Sequence, residues 1–464
     1  MNANPLVFDV GTTVVQRPQG GVANVGVEAG EDSVTGVAGA VLWGPLLDRL
    51  GLVATADERE LRPIGPGGYT GGQCYRAIVE TQLAGGDFVS DRSLLADEAT
   101  TRLRGSQALP SVSTLCRFLG GADLGRASKA AAVNRTMLAR AWALGAAPAP
   151  GLCTIDADAT FMHTYGSGKE GSAFHYSHEI GLSPMVGVCG ETGDVLAMRA
   201  RGGAANAGRA LGSFLDECVA AIPVEARARY QLWFRSDSAG FTREVFDAAA
   251  RHDAFFSVTA RQHSGIRAHI EALALDPATQ WQAAIDSDDE VADTIICLGR
   301  WSQARTLRLI VRRQRTRAGD QLSFDDLGGW RFQGVVTNLP AWLATAADVE
   351  HHHRLRGGAP EEAIRQLKHD FGLNHAPVTN FFGNWLWWHA AALAYNTARW
   401  IRTIALPTAF RTCRGKRLRL AFLNVAARVI TTGRRLVLRL PRAYAHLDAF
   451  AEALARIRAL PAFA

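Results

Sequence analysis

Cysteine is scarce. The 464-residue chain has seven (Cys74, Cys116, Cys153, Cys189, Cys218, Cys297 and Cys413), an odd number, widely scattered and with no C-x-x-C pair. That disfavours a disulfide framework and a structural zinc site, and makes a reducing cytoplasm the simplest home. No apolar run approaches the ~20 residues of a membrane span. Met1 to Gly20 lacks the basic-then-apolar order of a signal peptide. Gly168-Lys169 fails as a P-loop, because His163 stands where a glycine is required and Glu170 where Ser or Thr is. Acid is missing from one region in particular. From Asn396 onward there are 14 Arg or Lys against only Asp448 and Glu452, a net of +12 in a chain whose total is +6. The first 395 residues therefore sum to −6, and a polycation joined to a mildly acidic body points to a polyanionic partner.

Hydrophobic residues make up 48% and charged residues 20%, enough to bury a large core. Residues 1–40 read as an N-terminal arm. Residues 41–150 carry helical periodicity, broken at Pro63 to Gly68 and closed by Pro148 and Pro150. The period then changes. Thr154 to Thr160 alternates, with Asp156 and Asp158 on one face. Ile180 to Cys189, Asp194 to Arg199, Gln231 to Arg235 and Ala254 to Thr259 also read as strands, and helices fall at Ala207 to Ile222 and Phe241 to Ala250. Three strands, a helix, a strand, a helix and a strand is the order of an RNase H-like core, here 151–262. A β-rich insertion (263–346) follows, then a second core part (347–405) with helices at Pro360 to Phe371 and Asn384 to Ile404. A basic, helix-compatible tail (406–464) closes the chain. The expected class is α/β: a mixed-sheet RNase H-like core with a β-rich insertion, an N-terminal helical domain and a basic C-terminal helical region.

Asp158 on the first core strand, Asp237 at the end of the fourth and Glu361 at a helix start can converge on a pair of divalent ions. Such a site needs hard oxygen ligands around ions ~3.5–4 Å apart. For any one of these acids the alternative is a fold or turn residue. Asp156 shares the strand face with Asp158, so periodicity cannot separate them. Glu361 and Lys368 fall on one margin of their helix, beside a buried stripe of Ile364, Leu367 and Phe371, with Glu362 pointing away. His351-His352-His353 reads as a loop or helix-entry cluster, since adjacent histidines rarely face one ion. Trp385, Trp387 and Trp388 read as core. Two acid-free runs, Arg300 to Arg317 and Arg411 to Arg442, favour phosphate contact over a solvated face, which usually mixes signs.

Asp156-Ala157-Asp158-Ala159-Thr160 resembles the D-x-D-x-T first-strand motif of DDE transposases of the insertion sequence 1380 family. Arg235-Ser236-Asp237-Ser238-Ala239-Gly240-Phe241 is similar to their second motif, with one extra residue before the glycine. Arg354 to Gly358 followed by Glu361 to Lys368 resembles the third, R-x-R-G…E-x-x-I-x-x-L-K. Leu109 to Phe118 and Asn384 to Asn396 match flanking segments. His353 stands where the wider family has tyrosine, and four residues rather than three separate Arg356 from Glu361.

The resemblance implies a DNA transposase with Asp158, Asp237 and Glu361 as catalytic metal ligands, and it favours Asp158 over Asp156, kept as the reserve ligand. It implies two Mg²⁺, replaceable by Mn²⁺, and double-stranded DNA as partner, both the element's terminal inverted repeats and target DNA. A homodimer would hold two ends in the bacterial, nucleoid-associated cytoplasm, with no membrane involved. DNA contacts are expected from Arg356, Lys368, Arg312, Arg313, Arg414, Lys416, Arg417, Arg434 and Arg435. The competing functions are a stand-alone RNase H-like nuclease and a non-catalytic, domesticated DNA-binding descendant.

Overall fold

A computed structural model describes residues 33–463 apart from 62–67, 105–108, 166, 176, 300–304, 317–325 and 434. Arg300, Arg317 and Arg434, and all but residues 33–40 of the N-terminal arm, lie outside the described residues. The N-terminal region holds strand β1 (Val34–Thr35) and helices α1 (Ala40–Arg49), α2 (Leu52–Glu58), α3 (Gly71–Leu83), α4 (Glu98–Leu103), α5 (Val112–Gly120) and α6 (Leu124–Ala141). Ser111 caps α5 through the Thr114 amide, as its Ser-x-x-Thr sequence predicts.

The core contains β2 (Gly151–Ala159), the short β3 (Met162–His163) and β4 (Ala173–Phe174), β5 (Ile180–Leu182), β6 (Met185–Cys189) and β7 (Val195–Arg199). Then come α7 (Leu211–Ala221), α8 (Val224–Arg227), β8 (Tyr230–Ser236), α9 (Arg243–Arg251) and β9 (Phe255–Thr259). The expected strand and helix order is present, with one correction. Ile180 to Cys189 is two strands, divided at Ser183-Pro184. Pro184 has no amide to donate, and β5 turns away to join β3 and β4 in a separate small sheet.

The segment read as an insertion holds α10 (Ser264–Leu275), β10 (Gln282–Ala283), β11 (Glu290–Leu298), β12 (Arg305–Arg315), β13 (Asp326–Leu327) and β14 (Trp330–Thr337). It continues the core sheet. β14 pairs with β9, giving a ten-stranded mixed sheet in the order β10-β11-β12-β14-β9-β8-β2-β6-β7, with β13 on β14. β2 runs parallel to β8 and antiparallel to β6.

After the sheet come α11 (Ala346–Arg354), α12 (Ala359–Asp370), α13 (Phe381–Trp400), α14 (Gly415–Leu418), β15 (Ala427–Thr432), β16 (Arg435–Arg439) and α15 (Leu447–Ala459). α13 is buried on nearly all sides, and Trp387 and Trp388 are core residues. It packs on α3, α5 and α6 and on edge strand β7, where Asn396 exchanges hydrogen bonds with the Val195 backbone (2.8 and 2.9 Å). The C-terminal region is not a wholly helical tail. Alternating Val429, Leu436 and Leu438 form a hairpin that pairs with β1, and Leu418, Phe422, Leu423, Phe450 and Ile457 are buried in or against the common core. Removing everything after Leu406 would therefore uncover core. Among the described residues, no helix is long and apolar enough to cross a membrane.

Candidate functional site

The parallel pairing of β2 and β8 sets Asp156 opposite Arg235. Two residues further on each chain stand Asp158, still in β2, and Asp237, just past the end of β8. A side-chain period of two therefore brings both to one face at the carboxyl ends of neighbouring parallel strands, where open α/β sheets hold ligands.

The neighbours divide the two β2 acids. Arg235 donates from Nε to Asp156 Oδ1 (2.8 Å) and from Nη2 to Oδ2 (2.7 Å). Both side chains are buried, and Arg235 Nη1 also reaches the His352 carbonyl (2.6 Å). Asp156, the reserve ligand, is thus engaged at both oxygens. Asp158 faces a different setting. Its Oδ1 accepts from the Ala159 amide (2.8 Å), and Oδ2 lies 3.5 Å from Arg356 Nη1. Burial pushes its carboxyl up to about 6, helped by the nearby charges of Asp237 and Glu361 and opposed by Arg356. Asp237 caps the turn Ser238–Gly240 through the Ala239 amide (2.8 Å). Glu361 is exposed in the first turn of α12, beside an open groove of about 590 Å³ lined by Gly357 to Ala359, Glu362, Arg365 and Arg414.

The three carboxylates do not all close to within 4.8 Å of one another. Among the described residues the group whose ligand atoms do so is Cys153, Cys189 and Glu191. No spacing in the sequence joins those three, and only the β2–β6 register brings them together. The carboxylate donors are oxygen-only, a chemistry that suits hard cations better than soft ones.

The burial of Asp158 has a measurable consequence. An acid whose folded pKa is raised holds its proton more tightly when folded, so stability is present at low pH and is lost as pH rises through about 6. In chelator, Asp158→Asn should raise the melting temperature by a few °C at about pH 8. The gain should vanish as pH falls toward about 4. A variant less stable than wild type at both values would mean that Asp158 is held by favourable contacts instead.

The expected DNA-contact residues fall into two sets. Arg312 is turned inward, bound to Asp289 and to Glu350 (2.8 Å). Arg313 bonds Glu290 (2.8 Å), with its guanidinium 4.0 and 4.5 Å from the centres of the Trp281 and Trp330 rings. Arg308 pairs with Asp293 (2.6 Å). These three arginines on β12 meet acids from β11, from the turn before it and from α11, so this part of the run is neutralised by its neighbours. Lys368 Nζ donates to the Phe161 carbonyl (2.9 Å) and is half-buried. Arg414 is exposed and lies 3.1 Å from Glu362, which faces this basic segment and also accepts from Arg365 and Gln366. Lys416, Arg417 and Arg435 are exposed.

The three histidines point to different partners. His351 lies 3.6 Å from Asp286, and His352 packs on Trp233 with its ring centre 4.3 Å away. His353 is buried between Ser257 (3.1 Å) and Thr259 (3.0 Å). Burial holds His352 down to about 4 and His353 to about 3. They do not form a metal site.

The sequence model of the transposase DDE domain group 1 family matches residues 32–462. No curated protein sequence matches the chain. Among solved structures, the cryo-EM structure of a piggyBac transposase synaptic complex with hairpin DNA aligns over 83% of this chain and 80% of its own. The identity is 10% and the TM-score 0.42.

Proposed function

The chain belongs to the transposase DDE domain group 1 family, which spans all but its extreme ends, and on that premise we propose that it cuts and joins DNA at the terminal inverted repeats of a mobile element. What supports the reading is placement: Asp158 and Asp237 stand at the carboxyl ends of the neighbouring parallel strands β2 and β8, Arg356 lies 3.5 Å from Asp158, and Glu361 opens α12 just after it. Asp158, Asp237 and Glu361 would hold hard divalent cations, Mg²⁺ or Mn²⁺. Bound there, such ions supply activation of an attacking oxygen and stabilisation of the leaving oxygen of a phosphodiester.

The rest falls to the protein. Arg235, clamped on Asp156 and the His352 carbonyl, fixes the offset of β2 and β8 and with it the spacing of the two aspartates. Arg356 partly offsets the negative charge at Asp158 and stands ready to meet a phosphate oxygen. Lys368 ties the helix that bears Glu361 to the segment leaving β2, so the third acid moves with the first. Arg365 and Arg414 line the groove beside Glu361, and the exposed Lys416 and Arg417 extend that edge for backbone phosphates. Two copies, each gripping one end, would form the synaptic unit. Labelled element ends in a strand-transfer assay separate the readings: joined product supports a transposase, cleavage alone a nuclease, and binding alone a non-catalytic descendant.

The exposed basic set gives a second test. Substituting Arg414, Lys416 and Arg417 together by glutamine should weaken binding to repeat and random duplexes alike. It should also reduce the salt slope of log K by ~0.9 for each DNA phosphate that is no longer neutralised. Weakening confined to the repeat sequence would make this edge a sequence reader, and an unchanged slope would leave it a solvated face.

A further inference from the structure

The group of Cys153, Cys189 and Glu191 stands apart from the carboxylates in chemistry. Cys153 lies on β2 and Cys189 at the end of β6, and the register pairs Cys189 with Ile155. The two thiols therefore share one sheet face as diagonal neighbours, and both are completely buried. The chain then turns at Gly190 to Gly193, and Glu191 folds back. Its carboxylate accepts from the Thr154 amide (2.8 Å) and hydroxyl (2.6 Å), and Oε2 lies 3.5 Å from Cys189 Sγ. All three ligand atoms lie within 4.8 Å of one another.

The 3.5 Å from Cys189 Sγ to Glu191 Oε2 is what one ion demands, and the other two spacings are at most 4.8 Å. A tetrahedral zinc with Zn–S of ~2.3 Å and Zn–O of ~2.0 Å places its sulfurs ~3.8 Å apart and each sulfur ~3.5 Å from the oxygen. Two buried thiols beside a fixed carboxylate are soft donors, which select zinc-like ions over the hard ions suited to Asp158, Asp237 and Glu361.

We propose that Cys153, Cys189 and Glu191 form a structural site for a thiophilic divalent ion, zinc in the cell. On binding, both thiols lose their protons to solvent and each forms a metal–sulfur bond; no electron is transferred. Glu191 is exposed, which gives the ion a way in. The location gives the site a purpose. The turn after Cys189 is where two distant parts of the chain grip the sheet. Asp194 takes Trp142 Nε1 (2.9 Å) and Arg399 Nε (3.2 Å), and the Tyr395 hydroxyl donates to the Gly193 carbonyl (3.1 Å). An ion joining that turn to β2 would brace the strand that carries Asp158 against the helices on both sides of it in sequence.

The test uses the full chain. Metal content after purification in zinc-containing medium should be about one zinc per chain. Cobalt added to the metal-free protein should give a thiolate-to-cobalt charge-transfer band, and zinc should raise the melting temperature. Cys153→Ser or Cys189→Ser should abolish the band. Glu191→Gln, an isosteric change at an exposed side chain, should weaken zinc binding at least about tenfold with the metal-free fold intact. That variant keeps the proposal testable if a buried Cys→Ser change prevents folding. Absence of stoichiometric zinc, zinc retained with unchanged affinity in Glu191→Gln, or a Cys153–Cys189 disulfide in place of the ion would each overturn the site.

Discussion

Replacing Arg235 with methionine should destabilise the protein by about 3–5 kcal/mol, because it leaves the Asp156 carboxylate buried without its partner. Both of the Asp156 oxygens rest on the Arg235 guanidinium, and the two side chains are 2–3% exposed. Burial already raises the Asp156 carboxyl, with Arg235 opposing it. Without that opposition the acid would protonate more readily. A raised acid contributes stability that returns as pH falls, so the deficit in Arg235→Met should shrink in mild acid and be largest at neutral pH. The double variant Asp156→Leu/Arg235→Met should recover most of the stability, since two apolar groups replace a buried pair without an orphaned charge. Urea unfolding of the single and double variants is the measurement. A single variant within about 1 kcal/mol of wild type, or a double variant no better than the single, would show that the pair is not the clamp between β2 and β8.

The order of core strands and helices was legible because alternation and helical spacing are local properties, and β2, β6, β7, β8 and β9 lie where those signals put them. What could not be read depended on partners far away in sequence. Asp156 and Asp158 share a face, and only the opposition of Asp156 to Arg235 on β8 assigns the first to an ion pair and leaves the second open. Arg312 and Arg313 look like phosphate ligands in a run without acids, yet Asp289, Glu290 and Glu350 reach them from a neighbouring strand, the turn before it and a helix. The C-terminal segment looked like a basic tail because its charge is conspicuous. Its buried Phe422, Phe450 and Ile457 are fewer and are spaced over several elements. Cys153 and Cys189 are 36 positions apart and become neighbours only through strand register.

Asp158→Asn, Asp237→Asn and Glu361→Gln should each reduce cleavage of element ends by a factor on the order of 10³ or more, while leaving end binding within a few-fold of wild type. Each change removes one anionic oxygen ligand and keeps the side chain's size. For Asp158 the usual objection, that a dead variant has merely unfolded, runs against the electrostatics. Burial, Asp237 and Glu361 all disfavour its charge, so the neutral amide should make the protein more stable near neutral pH. Loss of cleavage together with a raised melting temperature is a combination that misfolding cannot produce. Asp156→Asn supplies the contrast. It should weaken the fold through Arg235, and at a temperature where it remains folded it should cut better than Asp158→Asn. Full activity in Asp158→Asn together with a dead but well-folded Asp156→Asn would reverse the assignment and place the ion on the other acid of the strand.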